Sequence, residues 1–414
     1  MRDKLYLMAS ATIGTTLEWY DFFIFAACSV LVFNTQFYAA GDPLVGDMLA
    51  LGTFAAGFLA RPLGGIVMGV LGDRLGRKRV LVASLVLMGG ATLAIGFLPT
   101  YASAGPLAPI LLLVLRILQG VAVGGEATGA LLMVAETMPG TQRGFWTSFT
   151  LLSGPLANVL ATLVIGTVQH SVGEQAFVEW GWRIPFLLSA LLVLVGYFTR
   201  TRVQESAAFE ELKRHHAEPK APLGESFAGF KRPMLKVFLI KASENTFLYL
   251  FSTFFLLLAT RFLGIPRGAA LDALFYASAL EVLIIPAAAH LSDRIGRRPV
   301  LFAGLLGCLL GGAALFSGVL PLQGALVLCL SCHGIICGAM GAFFSELFPT
   351  RVRYTALSAS YQTASVFGGS VAPLIGTLLL DKTGAATSVA IYAAMVAIPA
   401  LAAVLLAKET REGT

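Results

Sequence analysis

Glu18 and Asp21 stand three residues apart inside an apolar run that extends from about Leu5 to Phe33. Three residues apart on a helix is one face. Two carboxylates so close in a low dielectric repel each other unless one carries a proton, which is the chemistry of a proton carrier. A second run places Arg116, Gln119, Val123 and Glu126 along one stripe, at spacings of three, four and three. The guanidinium fork donates two parallel hydrogen bonds to a carboxylate. Arg116 with Gln119 is therefore the expected substrate anchor, and Glu18, Asp21 and Glu126 are the expected proton-coupling acids. A permanent ion pair between Arg116 and one of those acids is the competing reading, and the two are compatible if substrate or proton competes for the Arg. Charges at this depth in a membrane are costly and are functional by default.

Further polar groups interrupt the later apolar runs. Asn245 and Tyr249 lie four apart, and Tyr361 is followed by Gln362. These four, with Tyr20, are expected to hold the hydroxyl or keto groups of a bound solute. Lys241 and Glu244 are spaced to pair with each other, as a structural pair. His333 could relay protons because imidazole titrates near physiological pH, although a lone His in a packed bundle is more often simply hydrogen-bonded. The same holds for Glu281. Arg61, before Pro62, is expected to reach toward the cytoplasmic side and pair there.

These groups must be positioned by membrane helices. The 414-residue chain is 57% hydrophobic and 13% charged, against about 25% charged in a soluble domain. A helical crossing takes ~20 apolar residues, so about twelve crossings fit. Backbone amides in hydrocarbon must be satisfied within the element, which leaves helices or closed barrels. The runs are far longer than the ~10-residue alternating strands of a barrel. The expected spans are 5–33, 45–71, 80–98, 107–136, 145–170 and 184–197, then 234–262, 271–291, 300–319, 322–348, 355–380 and 387–407. The polar segment between the sixth and seventh divides the chain into bundles over 1–199 and 234–414, joined by a linker over 200–233. The first run is too long for a cleaved signal peptide. Lys and Arg concentrate in alternate connections, which puts both termini and the linker in the cytoplasm. The net charge of +6 follows from that bias, and nucleic acid is excluded as a partner. The cysteines, Cys28, Cys308, Cys329, Cys332 and Cys337, all fall in apolar runs and are read as packing; no metal or cofactor is expected. Neither a phosphate-binding glycine loop nor a nucleophile with its base is evident, which argues against ATP drive and against an enzyme. Gly154-Pro155 and Ala372-Pro373 are expected to kink their helices.

One pattern occurs twice. Gly72-Asp73-Arg74-Leu75-Gly76-Arg77-Lys78-Arg79 returns as Ser292-Asp293-Arg294-Ile295-Gly296-Arg297-Arg298-Pro299, with Asp73 and Asp293 220 residues apart. Glu136 with Arg143 returns as Glu346 with Arg353. Parallel repeats of this kind build secondary transporters from two bundles. The first stretch resembles the loop between helices 2 and 3 of the major facilitator superfamily. Leu17-Glu18-Trp19-Tyr20-Asp21-Phe22-Phe23, Leu115-Arg116-Ile117-Leu118-Gln119-Gly120 with Gly124-Gly125-Glu126, and Trp180-Gly181-Trp182-Arg183-Ile184-Pro185-Phe186 are similar to the metabolite:proton symporter family within it. Phe344-Ser345-Glu346-Leu347-Phe348-Pro349-Thr350-Arg351-Val352-Arg353-Tyr354 is nearest its shikimate-type branch, while Gly338-Ala339-Met340-Gly341 departs from the polar, proline-containing segment expected there.

The resemblance implies an all-α membrane fold of twelve helices in two pseudo-symmetric bundles and proton-coupled symport of a small organic acid into a bacterial cell through the inner membrane, by a monomer. A zwitterion such as betaine or proline, held by Arg116 and an aromatic ring, is the alternative substrate; an uncoupled facilitator is the alternative mechanism. The resemblance also implies a cytoplasmic gate of Asp73, Arg77, Glu136, Arg143, Asp293, Arg297, Glu346 and Arg353, which biases a two-state equilibrium and does not hold substrate.

Overall fold

The computed structural model describes residues 2–38, 41–75, 77–124, 127–201 and 229–411. Apolar runs free of alternation fold as helices because each backbone amide then finds its acceptor one turn away. The first half contains α1 (Arg2–Cys28, prolonged by a π-helical turn at Ser29–Phe33), α2 (Pro43–Leu75) and α3 (Arg77–Gly96). It continues with α4 (Leu107–Val123, resumed at Ala127–Thr137), α5 (Arg143–Leu151, resumed at Ser153–Val172) and α6 (Arg183–Thr201). The second half contains α7 (Lys231–Tyr249, prolonged through Phe262), α8 (Arg267–Ile295), α9 (Arg297–Ser317), α10 (Leu322–Glu346), α11 (Thr350–Ser365, resumed at Ala372–Thr383) and α12 (Thr387–Leu405). Among the described residues ten helices are long and apolar enough to cross a membrane, and α3 has a shorter apolar stretch, Val82–Gly96. The α6 helix packs on α3 and α1 within the first half. The two six-helix halves of the sequence reading are thus present.

Linker residues 202–228 lie outside the described residues, and α7 starts at Lys231, slightly ahead of the expected 234. At both proline sites the helical span continues, but its regular bonding is interrupted at the residue or turn before the proline, at Leu152 and at residues 366–371. Pro155 falls in the first turn of a helix that restarts at Ser153, and Pro373 in the first turn of one that restarts at Ala372. A first turn has no use for the N–H that proline lacks, so the regular bonding breaks off just before each proline and resumes.

The halves meet along α5 against α8 and α10, and along α2 and α4 against α11. Shifting helix numbers by six exchanges the α2–α11 contact with the α8–α5 contact, as a duplicated bundle requires. Inside the first half α2 and α4 touch backbone to backbone. A Cβ on Gly120 would stand 2.0 Å from the Gly57 carbonyl oxygen, and one on Gly124 would stand 2.1 Å from that of Arg61. Small residues permit this approach, and it fixes Arg116 between α1 and α2.

Candidate functional site

In the first half a chain of hydrogen bonds crosses three helices. Arg116 Nη1 donates to Gln119 Oε1 at 3.1 Å, and Gln119 Nε2 donates to Thr92 Oγ1 at 2.7 Å. Thr92 Oγ1 in turn donates to Asp21 Oδ2 at 2.7 Å. All four residues are buried. The Arg116 guanidinium lies on the faces of Phe22 at 4.1 Å, Phe25 at 4.3 Å and Phe54 at 5.0 Å. Arg61 is held alike, 4.2 Å from the rings of both Phe22 and Phe58 and 5.6 Å from that of Trp19. It does not pair at the terminal face as expected, because these rings enclose it; its electrostatic neighbours are Tyr249, Glu18 and Tyr361. The buried Arg61 Nε and Arg116 Nη2 have no hydrogen-bond acceptor.

Tyr249 of α7 closes this layer from the other half. Its ring lies 5.4 Å from Phe58, 5.6 Å from Phe54 and 6.4 Å from Phe23, and its hydroxyl has no partner. Asn245 Nδ2 donates to Ser365 Oγ at 3.0 Å, and Gln362 Nε2 donates to the Gly124 carbonyl at 3.1 Å across the interface. Asn245 Oδ1 and Gln362 Oε1 are left without donors. Tyr20 points elsewhere: its hydroxyl donates to the Pro185 carbonyl of α6 at 3.2 Å. Glu18 is buried. Glu126 and the side chains of Asp73 and Arg77 lie outside the described residues.

The second half holds a denser cluster. Lys241 Nζ donates to Glu244 Oε2 at 2.5 Å and stands 4.4 Å from the Tyr361 ring centroid. His333 lies between two acids, with Nδ1 hydrogen-bonded to Glu281 Oε1 and Nε2 3.4 Å from Glu244 Oε1. Lys241, Glu244, His333 and Tyr361 line a cavity of about 30 Å³ at the interface, with Trp19 of α1 and Gly154 and Pro155 of α5 on the opposite wall. That space admits water; sites for small organic ligands run to about 300–1,000 Å³. Of the expected substrate residues Tyr361 lines the cavity, whereas Arg116 and Gln119 lie behind the aromatic layer. Glu244, His333 and Cys337 also crowd together, with side-chain donor atoms within 4.8 Å of one another, and Glu244 there carries the Lys241 ammonium.

At the terminal face, bonds run from half to half. Asp293 of α8 accepts from the backbone amides of Gly144 at 3.0 Å and Phe145 at 2.8 Å, the start of α5, and from Arg297 Nη1 at 2.5 Å. An acid at a helix N-terminus meets unpaired amides and a favourable dipole. Arg143 pairs with Glu346 at 3.3 Å, and Arg353 with Glu136 at 3.1 Å, which are equivalent contacts under the repeat. Six of the expected gate residues are thus brought into two cross-half clusters. The chain end joins them: Thr410 Oγ1 donates to Glu346 at 2.7 Å, and Glu409 accepts from the amides of Arg297 and Arg298. Burial opposes ionisation of Glu409, but those amides hold it below the ordinary carboxylate range. Gly296, at φ +107°, makes the turn that presents both amides, and a Cβ there would meet Glu409 at 2.6 Å.

The opposite face is fastened as well, by contacts the sequence reading did not anticipate. Arg261 of α7 pairs with Asp47 of α2 at 2.6 Å, Asn34 Nδ2 steadies Asp47 at 2.7 Å, and Arg267 pairs with Glu174 at 3.0 Å. Among the described residues, both faces are thus tied from half to half. Thr92 and the Asp47–Arg261 pair on the face opposite the termini are functional candidates missed in the sequence; a lone acid 26 residues past Asp21 in a second apolar run was the available signal for Asp47.

The family model described as Major Facilitator Superfamily matches residues 11–280 and 246–414. The inner membrane metabolite transport protein YhjE of Escherichia coli K12 is 38% identical, over 99% of this chain and 95% of its own. The shikimate transporter of the same organism is 36% identical over 92% and 89%, and its proline/betaine transporter 31% over 97% and 83%. Among solved structures, the proton:xylose symporter XylE bound to 6-bromo-6-deoxy-D-glucose superposes with a TM-score of 0.79 over 99% of this chain and 96% of its own, at 18% identity. An XylE from E. coli in a partially occluded inward-open conformation gives 0.78 over the full length of both chains, again at 18%.

Proposed function

We propose that this chain, which belongs to the major facilitator superfamily, is a proton-coupled symporter that brings a small organic acid into the cell through a bacterial inner membrane. That it is a transporter and not an enzyme follows from the family; the acid, the proton and the direction are the reading offered here. One observation carries it. Two buried guanidinium groups, Arg61 and Arg116, lie against the aromatic layer, and Arg61 Nε and Arg116 Nη2 have no acceptor among the described residues. An unpaired buried donor costs about 1–3 kcal/mol, more when charged, and a carboxylate arriving between the halves would remove that cost. The orphaned Tyr249 hydroxyl and the free oxygens of Asn245 and Gln362 stand ready for hydroxyl or keto groups.

Coupling follows from charge. Asp21 balances Arg116 through Gln119 and Thr92. A proton taken by Asp21, or by its neighbour Glu18, leaves Arg116 unbalanced and attractive to a substrate anion; Glu126 stays a third candidate acid. Proton and acid are then bound together or not at all. The halves rock about the site, with the Asp293, Glu346 and Glu136 clusters closing the cytoplasmic face and Asp47–Arg261 the outer face. Both termini are placed in the cytoplasm, and the working unit is a monomer of two bundles, 1–199 and 234–414, joined by 200–233. The relatives named for metabolite and shikimate transport support an acid. A zwitterion is the second reading: Tyr361 and Trp19 share the cavity with Glu244, and Tyr361 already holds the Lys241 ammonium by a cation–π contact.

Uptake into proteoliposomes with an imposed inward proton gradient tests this. Labelled shikimate, 2-oxoglutarate, citrate, quinate and betaine are compared with and without a protonophore, for wild type and Asp21→Asn. Accumulation of one acid that the protonophore and Asp21→Asn both abolish is the expected result. Equal uptake with and without the gradient would make the protein a facilitator, and accumulation of betaine alone would favour the zwitterion.

A further inference from the structure

The cluster in the second half plays no part in the coupling scheme above, and its hydrogen count is unusual. Both nitrogens of the His333 ring face carboxylate oxygens: Nδ1 is hydrogen-bonded to Glu281, and Nε2 is 3.4 Å from Glu244. A neutral imidazole has one N–H and can serve only one of them. The other contact would then set a bare nitrogen lone pair against a bare carboxylate in a buried site, which is repulsive. The geometry is satisfied when the three groups share one more proton, carried as an imidazolium or as a Glu281 carboxylic acid. We infer that Glu281, His333 and Glu244 form a second proton-binding site, in the other half, which loads and releases a proton of the transport cycle through the interface cavity in addition to the one assigned to Asp21 or Glu18.

The charge balance agrees. Lys241 neutralises one acid, and the shared proton neutralises the other, so the buried cluster has no net charge when loaded. Losing the proton leaves one uncompensated negative charge among residues that are all buried, which is expensive unless water enters. The layout supplies that route and orders it. Glu244 and His333 line the cavity, whereas Glu281 lies behind His333. The titratable groups around them include Lys241 and Tyr249 on α7, Cys337 on α10, Cys308 on α9 and Tyr361 on α11. Cys337 Sγ lies 3.7 Å from Glu244 Oε1 and 3.9 Å from both ring nitrogens, close enough to adjust with the proton. As an acid Glu281 donates from Oε1 to Nδ1 while Nε2–H faces Glu244, and as an imidazolium His333 donates to both carboxylates, so either placement of the shared proton satisfies both contacts. This site deepens the symport reading and rests on it for its role, though not for its existence.

Existence is tested without any transported solute, on the full-length protein in lipid nanodiscs. Nitrogen-15 shifts of labelled histidine give the protonation of His333, assigned by loss of its signal in His333→Gln. The infrared carbonyl band of protonated carboxyl groups is compared between wild type and Glu281→Gln. The site predicts, at neutral pH, either a doubly protonated His333 ring or a protonated-carboxyl band that Glu281→Gln removes. A neutral, single-tautomer His333 together with an unchanged carboxyl band would overturn it. Its role is read in proteoliposomes with the solute panel above. Glu281→Gln should lower gradient-driven accumulation on the order of 100-fold while solute exchange at equal pH stays near wild type. Undiminished, gradient-dependent accumulation by Glu281→Gln would overturn the coupling role. A wild type that ignores the gradient while the spectra show the proton would sink the symport reading and leave the proton site standing.

Discussion

The two halves descend from one pattern, yet their centres carry charge in opposite ways. Around Arg116 and Arg61 the first half has cations on aromatic faces, a relayed link to Asp21, and donors left open. Around His333 the second half has cation and acids in direct contact. The first arrangement leaves buried donors unpaired, whereas the second sets an imidazole between two carboxylates. Among the described contacts of the terminal face no such divergence is seen, since Arg143–Glu346 and Arg353–Glu136 remain equivalents. On the proposed reading, matched contacts at the ends suit rocking, while the centres between them place the acid at Arg116 and a second proton at His333.

The sharpest way to break this contrast is at the first centre. Arg116→Ala should reduce uptake by about 100-fold or more, the scale expected when one partner of a buried charged contact is removed. Arg116→Lys should recover little of it, because an ammonium cannot reproduce the fork or the flat contact with Phe22 and Phe25. Initial uptake rates in proteoliposomes measure both.

At the second centre the expectation concerns stability as much as transport. Lys241→Met alone should destabilise the protein by roughly 3–5 kcal/mol, because Glu244 is left buried without its cation, whereas Lys241→Met with Glu244→Gln should cost much less. Thermal unfolding in detergent separates the two. Equal losses for single and double variants would mean that the pair is not the self-compensating unit described.

The gate should respond more weakly. Arg353→Ala removes a partly exposed pair worth about 0.2–1 kcal/mol. Asp293→Asn should do more, since Asp293 accepts from two amides and from Arg297. Labelling of Cys337, which lines the cavity, by a membrane-permeant thiol reagent should rise more in Asp293→Asn than in Arg353→Ala.

The smallest effect belongs to the chain end. Backbone amides hold Glu409 below the ordinary carboxylate range, so its contribution is present above the unfolded value near ~4.3 and fades as pH falls through its lower folded value. Glu409→Gln should therefore lower stability at neutral pH by a few tenths to about 1 kcal/mol, and the difference from wild type should shrink in acid.

Much of this was legible in the sequence because membranes enforce it. Apolar run length gave the helices, and the spaced repeat pointed to the acids and bases of the terminal face, whose partners turn out to cross from one half to the other. The central acids and Arg116 stood out because charge in hydrocarbon is rare. What sequence spacing could not provide was the partner across helices. Lys241 and Glu244 sit one turn apart and were readable as a pair, but His333 between Glu244 and Glu281 joins three helices. Arg61 was misread for the same reason: its neighbours Phe22 and Phe58 come from α1 and α2, and one helix alone cannot show an aromatic cage. The Asp47–Arg261 tie likewise links α2 to α7.

The division of labour between the halves is tested most directly by measuring gradient-driven accumulation and equal-pH exchange of the transported solute in the same proteoliposomes, for Arg116→Ala and Glu281→Gln. The account predicts that Arg116→Ala loses both activities, because it cannot bind the acid, while Glu281→Gln loses accumulation and keeps exchange. Loss of both activities in both variants, or an Arg116→Ala protein that still exchanges, would contradict it.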